Sequence, residues 1–523
     1  MAESCATATE TMTQLATRAL DIEHEEREHL EELRMLGVDH LGGPPPPPIV
    51  EGRVFERLYR YHLLPVQLQV LADAVAVYLV TPEVRTHVFA TGRWRHPSAV
   101  GPCVRGQKLL DTVKKYVVDT QDDVSDVSHA AREIAEALVL SGFISPVHEP
   151  ANEKNIVTYV HERDYYELVA PGAQQLLAAP PAEGGGGSGL IPHVAPLHQK
   201  KSVWAVTDGA TRAGSVFRKR DAVSDKTRSV REFLATLSLC GSRNRRERKR
   251  YAVVNKTQHH ALFLFASDCA RQELSRVALE DALVRYEAGA ARAPLHHGLK
   301  VWTDTNFEIL DFVSKHRQED WLLALLDAGA KYIEANPAHE TWADANASFY
   351  SLVDATAAGD EFLFEALIGK VVLVVNVASN DPSAPVQFPE LVALADKYAA
   401  DGLCVLAFPC SQFGDGEQEF ETDEEILRHV VQAYDVRFPV LTKRDVNGLR
   451  ARPAFLFLNA RLPGCFGPFT EWNFTKFLVD RNGQPYKRYD THALPVAAIE
   501  ADIRQLLGDG RHSGKASGAR GSE

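Results

Sequence analysis

Several absences narrow this chain before any motif is read. It has only 7 cysteines in 523 residues. None stands at paired spacing, and no Cys/His cluster has the spacing of a zinc site. That argues against a disulfide framework and a structural zinc module. Long hydrophobic runs are missing too: the most apolar stretch, Val371 to Ala378, is far below the roughly 20 residues a bilayer span needs. The opening Met1-Ala-Glu-Ser-Cys5 has neither the basic nor the apolar region of a secretory leader. Neither a Walker A loop nor a Rossmann fingerprint is present. These absences predict a reducing, cytoplasmic setting. Negative charge is scarce in one place only. Between Lys200 and Arg250, 15 Lys/Arg face 5 Asp/Glu, a local balance of +10; the net charge is −13, so the rest carries about −23. Such asymmetry suits one face to an anionic partner.

What is present is ordinary for a folded protein, with 45% hydrophobic and 24% charged residues. The length exceeds what one core supports, about 250–300 residues, so several domains are expected. Residues 1–70 read as an N-terminal helix and a spacer. Over 9–36, Met12, Leu15, Ala19 and Ile22 recur at heptad-like spacing until Glu26 and His29 interrupt them, and Pro44 to Pro48 form a stiff polyproline piece. Residues 173–195, with Pro180-Pro181 and Gly184 to Gly187, are a flexible linker, and 509–523 a Gly/Ser/Arg-rich tail expected to be disordered. Three folded blocks remain, 71–172, 196–337 and 343–508.

In the first block, Leu109, Leu110 and Val113, then Ala131, Ile134, Ala135 and Leu138, repeat at helical spacing. Ser141-Gly142 closes the second helix. Strands are expected over 143–147 and 165–169. The runs Val104-Arg-Gly-Gln-Lys-Leu-Leu-Asp-Thr-Val113, Ala131-Arg-Glu-Ile-Ala-Glu-Ala-Leu-Val-Leu-Ser-Gly-Phe-Ile144 and Tyr165-Tyr-Glu-Leu168 resemble a DEP domain. The resemblance implies a winged-helix α+β module that places signalling proteins at membranes or on receptors.

The second block is rich in strand-like runs, at 233–239, 251–254, 261–266, 277–279 and 307–312. It ends in one helix over 318–332 bearing Trp321, Leu322, Leu325 and Leu326. This order resembles a pleckstrin-homology (PH) domain, a β-barrel or sandwich with a C-terminal helix. Arg248-Lys-Arg-Tyr-Ala252 is similar to the family's entry into its second strand, with Arg243, Arg245 and Arg246 in the loop before it. The resemblance implies that Arg243, Arg245, Arg248 and Arg250 face anionic lipid, since guanidinium forks match phosphate oxygens. The stretch Ala235 to Gly241, taken as the first strand's end, lacks the cation that headgroup-binding members carry there. Nucleic acid is disfavoured, because no aromatics interleave the basic run.

The third block alternates buried strands and helices. Val371 to Ala378 and Leu403 to Phe408 are apolar enough to be covered on both faces. Phe388, Leu391, Ala395 and Tyr398 mark a helix between them, and Thr422-Asp-Glu-Glu425 is a capping box. Residues 454–458 read as a third strand. Asn482-Gly483 signals a hairpin, and 499–507 a last helix. The pattern fits a thioredoxin-like α/β fold. Gly369-Lys-Val-Val-Leu-Val-Val-Asn-Val-Ala-Ser379, Leu406-Ala-Phe-Pro-Cys-Ser-Gln-Phe-Gly414, Phe438-Pro-Val440, Asp445-Val-Asn-Gly448 and Trp472-Asn-Phe-Thr-Lys-Phe-Leu-Val-Asp480 stand in one order. In that order they resemble the glutathione peroxidase family.

The resemblance implies a peroxide-reducing thiolate or selenolate surrounded by N–H donors from Gln412, Trp472 and Asn473. The nucleophile's position, two residues after Ser379, holds Asp381, and Pro382 replaces the usual glycine. A carboxylate is already fully oxidised and forms no sulfenic or selenenic acid. Thioredoxin-dependent members carry a resolving cysteine where this chain has Val431. Cys404, Cys410 and Cys465 read as core thiols. The expectation is a catalytically impaired peroxidase fold, joined to DEP-like and PH-like modules for signalling or redox-linked scaffolding. The alternative is an active peroxidase reducing hydrogen peroxide or lipid hydroperoxides at membranes, with glutathione or thioredoxin as reductant. No cofactor or metal is expected. Expected partners are an anionic phospholipid surface and signalling proteins, with a cytoplasmic or peripheral-membrane location.

Overall fold

The computed structural model describes residues 49–90, 96, 99, 101–121, 124–149, 156–169, 200–219, 247–290, 293–343, 347–414, 418–490 and 496–509. The expected helix over 9–36, the polyproline spacer, the strand at 233–239, the Gly/Pro linker, the tail, and Arg243, Arg245 and Arg246 lie outside these residues. The chain divides into two compact units: Pro48–Ala335, and a second to which 336–509 belong.

Within Pro48–Ala335, helices Gly106–Thr120 and Val127–Leu140 form where the apolar spacing places them. Asp126 caps the second, accepting from the His129 N–H at 3.0 Å. Their buried faces meet helix Val66–Val80, which the sequence reading did not mark. Three short strands complete this helical part, Cys103–Arg105 and Ile144–Pro146 each pairing antiparallel with Tyr165–Leu168. The sheet part runs Ala210–Lys219, Glu247–Asn255, Ala261–Phe265, Glu273–Ala278, Leu283–Ala290, Ala293–Trp302 and Phe307–Asp311. The last strand pairs back onto the first, Asp311 opposite Phe217. Helix Lys315–Asp327 follows, its Trp321 buried. The described strand that precedes Glu247–Asn255 and pairs with it is thus Ala210–Lys219, ending in Phe217-Arg218-Lys219. It was missed because small and polar residues hide its alternation.

The two parts of this unit share contacts. Arg53 reaches Asp268 of the sheet part through its backbone N–H (2.9 Å) and Nη2 (2.7 Å). Glu149 of the helical part binds the neighbouring Arg57 at 2.8 and 3.0 Å. Gly142 has φ of 76°, and a Cβ there would lie 2.2 Å from the Trp204 ring. The left-handed turn and the indole both require glycine.

In the second unit, Val371–Val377 pairs parallel with Leu403–Pro409 and antiparallel with Lys476–Val479, which pairs with Pro485–Tyr489. Val371, Leu373, Val375 and Val377 join one apolar cluster with Phe388, Leu391, Ile499 and Ile503 of helices Ala384–Tyr398 and Val496–Asp509. Val372 and Val374 join another with Phe455 and Leu458. Both faces are covered, so every position of the central strand is buried. This is the thioredoxin-like arrangement. The expected capping box is present: Thr422 Oγ1 accepts from the Glu425 N–H (3.3 Å) and Glu425 Oε2 from the Thr422 N–H (3.2 Å). The expected strand at 454–458 is instead helix Pro453–Arg461. A short apolar run shows no period, and Pro453 at the first turn presets helical φ.

Candidate functional site

Residue 381 stands where the central strand hands over to helix Ala384–Tyr398, and its carboxylate builds the turn. The Asp381 carbonyl accepts from the Ala384 N–H at 2.9 Å. Its Oδ1 accepts from the Ser383 N–H (2.8 Å) and hydroxyl (2.5 Å). An anion at the start of a helix is stabilised by the unsatisfied N–H groups and the dipole there. Oδ2 accepts from Asn473 Nδ2 at 3.0 Å. Asp381 is 6% exposed. A carboxylate can only accept, and this one has three donors.

Of the expected site residues, the structure joins Asp381 to Asn473. The Gln412 amide is engaged at Val446–Asn447: Oε1 accepts from their N–H groups at 2.7 and 3.0 Å, and Nε2 donates to the Asn447 carbonyl at 3.2 Å. The Trp472 ring lies tilted beside Phe413, ring centres 5.9 Å apart. Its carbonyl accepts from Asn376 Nδ2 and Thr475 Oγ1, both at 3.0 Å. The Cys410 thiol is buried and donates to Gln412 Oε1 at 3.5 Å. Cys404 is half-buried. Cys465 corrects the expectation of a core thiol: it is exposed, on a turn closed by the Gly464–Gly467 bridge. Val431 is 45% exposed on helix Asp423–Tyr434.

Sequence reading missed the strap Gln418–Phe420. The Gln418 carbonyl accepts from the Asn380 N–H at 2.8 Å, and its Oε1 from Asn473 Nδ2 at 2.7 Å. Glu419 Oε2 accepts from the Ser379 N–H at 3.1 Å. Burial pushes the Glu419 carboxyl up to about 7. No periodicity marks these residues, since they lie in a polar loop. Lys476 is also buried, its Nζ donating to the Phe474 carbonyl at 2.8 Å, and burial lowers its ammonium to about 8. Asn376 and Lys476 did leave a signal, being polar residues inside apolar strands.

In the first unit, Arg248 lies opposite Arg218 and Arg250 opposite Val216 on the paired strands. Arg218 is held by Glu308 at 2.7 and 2.5 Å. A cavity of about 630 Å³ beside them includes Glu51, Arg53, Glu56, Lys249, Arg250 and Asp268 in its walls. Among the described residues no His/Cys/Asp/Glu cluster is placed to hold a metal, and no single helix is long and apolar enough to cross a membrane.

Comparison with known proteins bears on the second unit. The profile described as "Glutathione peroxidase" matches residues 349–459. A probable phospholipid hydroperoxide glutathione peroxidase of Mesembryanthemum crystallinum is 40% identical over 161 residues, 31% of this chain and 93% of the relative. The glutathione peroxidase-like peroxiredoxin HYR1 of Saccharomyces cerevisiae is 42% identical over 160 residues, 30% of this chain and 96% of the relative. Among solved structures, T. cruzi GPX1 is 33% identical, with a TM-score of 0.26, covering 31% of this chain and 97% of its own. With 40% and 42% identity and near-complete coverage of the Mesembryanthemum and Saccharomyces relatives, the chain belongs, through this unit, to the glutathione peroxidase family.

Proposed function

We propose that this protein is a glutathione-peroxidase fold without peroxide turnover, used in signalling or redox-linked scaffolding. The observation that carries this is Asp381. The nucleophile's place is held by a carboxylate that accepts from Ser383, just ahead of helix Ala384–Tyr398, and from Asn473. Peroxide reduction needs a soft atom to attack the O–O bond and take up one oxygen. The test is stopped-flow reduction of hydrogen peroxide and a lipid hydroperoxide by the full chain, with glutathione or thioredoxin in excess. Rates at the level of free thiol are expected.

A second reading has one observation in its favour, the Cys410 thiol at 3.5 Å from Gln412 Oε1. In that reading the Cys410 thiolate attacks the peroxide, leaving a sulfenic acid and an alcohol. Two external thiols then return the cysteine, yielding water and a disulfide. Several relatives are named phospholipid hydroperoxide glutathione peroxidases. Turnover well above background that disappears with Cys410→Ser establishes this reading and removes the first.

The first unit is read as a DEP-like helical module joined to a PH-like sheet module, carrying the protein to anionic membranes from the cytoplasm. The support is the three-stranded wing against two helices, and a strand meander closed on its first strand and followed by a tryptophan-bearing helix. Of the cation-rich stretch, the described residues Arg218 and Lys219 end one strand of this sheet, with Arg218 opposite Arg248 in the register of the next. Each cation near an anionic surface contributes roughly 1 kcal/mol, screened by salt. Binding to phosphatidylserine vesicles is expected at low salt and weakened at high salt. Equal sedimentation with neutral and anionic vesicles overturns it.

A further inference from the structure

The segment Trp472–Thr475 carries a conformation that its own sequence disfavours. Phe474 has φ of 57° and is fully buried. The left-handed region crowds Cβ against the carbonyl, and a bulky residue stays there only when its surroundings fix it. Two side chains do so here. Asn376, inside the central strand, donates its side-chain Nδ2 to the Trp472 carbonyl at 3.0 Å, while its backbone carbonyl takes the Phe474 N–H at 2.8 Å. Lys476 returns two residues to donate Nζ to the Phe474 carbonyl at 2.8 Å. The kink sends the Asn473 side chain to Asp381 and Gln418, at 3.0 and 2.7 Å.

Both residues are costly where they stand. Asn376 is 0% exposed in a strand otherwise of valine and leucine, and its Oδ1 has no partner among the described residues. Lys476 is 5% exposed, on the sheet face that carries Phe474 and Leu478 into the core. Valine and methionine would fill these places without burying unpaired polar atoms. Local departures from core chemistry cluster where a site has to be held in shape.

We propose that Asn376 and Lys476 are positioning residues of the residue-381 site, locking the left-handed Phe474 turn so that the Asn473 amide is delivered to whatever anion stands at 381. The proposal rests on the reading of residue 381 as an anion site, and the experiment separates the two. In the full chain, Asp381→Cys places a thiol among the Asn473 donor and the first turn of helix Ala384–Tyr398. Its thiolate is titrated by ultraviolet absorbance against the wild-type protein, a measurement that needs no reagent to enter the pocket.

The Asp381→Cys thiol should titrate below the ordinary cysteine value of about 8.5. Adding Lys476→Met should raise the midpoint by about one unit, leaving up to about tenfold less thiolate at neutral pH. Asn376→Ala, added instead, should raise it likewise. Because that change removes no charge, its shift cannot be the field of the lost ammonium, and it serves if Lys476→Met fails to fold. An ordinary midpoint in Asp381→Cys alone removes the anion-site reading. A low midpoint unmoved by Asn376→Ala, or moved only by Lys476→Met, overturns the positioning role.

Discussion

Glu419 shows what a single buried carboxyl does to stability. It is 5% exposed, and burial raises it from 4.5 to about 7, with the Ser379 and Phe420 N–H groups pulling the other way. The fold therefore favours the protonated form. Its contribution is fully present below about pH 4.5 and is lost as pH rises through 7, an effect of about 3 kcal/mol. Lys476, lowered from 10.5 to about 8, has the opposite sign: its contribution is present above pH 10.5 and lost as pH falls through 8. The two windows do not overlap. Denaturant midpoints of the second unit should fall between pH 5 and pH 8 in the wild type, and Glu419→Gln should flatten that fall. An unchanged slope in Glu419→Gln assigns the dependence elsewhere. At this scale the sequence was partly legible. Asp381 was visible because flanking motifs fix its position. Its hydrogen-bond partners were not, because they depend on Ser383 and Asn473 arriving in space. Glu419 was not legible at all, since only burial separates it from the acidic loop residues nearby.

Elements were legible where period and termini agree. Val127–Leu140 and Asp423–Tyr434 carry both an apolar stripe and a capping acceptor, Asp126 and Thr422. Pro453–Arg461 was misread because Ala-Phe-Leu-Phe-Leu has no stripe, its residues being buried on nearly every side. The hairpin Val353–Ala355 with Glu361–Leu363 gave no signal, because its buried middle residue is Asp354, which pairs with Arg452 and Arg444 instead of adding to an apolar alternation. Asp354 Oδ2 and Oδ1 accept from Arg452 Nε at 3.0 Å and Nη2 at 2.8 Å. Arg452 is 0% exposed and lies 4.7 Å over the Phe408 ring. Breaking one side of a buried pair leaves the other charge without its counter-ion and costs about 3–5 kcal/mol. Asp354→Asn should therefore destabilise the second unit by about that amount in urea titration, whereas replacing exposed Glu361 should move it by under about 0.5 kcal/mol. A small effect of Asp354→Asn means that the hairpin rests on its backbone pairing instead.

At the scale of the molecule, composition marks folded blocks at 71–172 and 196–337 with a linker between them, and both fall, up to Ala335, inside one compact unit. Linker composition reports the connecting chain, and says nothing of side chains that bind across it. Here helix Arg53–His62, which lies ahead of both blocks, binds each of them. Arg53 holds Asp268 through Nε and Nη2 at 3.0 and 2.7 Å, and Arg57 holds Glu149. Val54 lies in the same apolar cluster as Val169, Trp204 and Phe263. Arg271 adds a bond to the Pro146 carbonyl at 2.7 Å and an ion pair with Glu167. Arg53 and Asp268 are 5% and 7% exposed, so these are desolvated charges, which are expensive to separate. If the helix joins the two parts, losing its anchor should loosen both together. Asp268→Ala in the full chain should lower protection from hydrogen exchange over 131–140, in the helical part, as well as over 251–265, in the sheet. The cost should be about 3–5 kcal/mol in each, the range for a broken buried pair. Lys256→Ala, which removes an exposed pair with Asp327, should change neither by more than about 1 kcal/mol. Loss of protection confined to 251–265 would show that the two parts fold independently and that the buried pair serves the sheet alone.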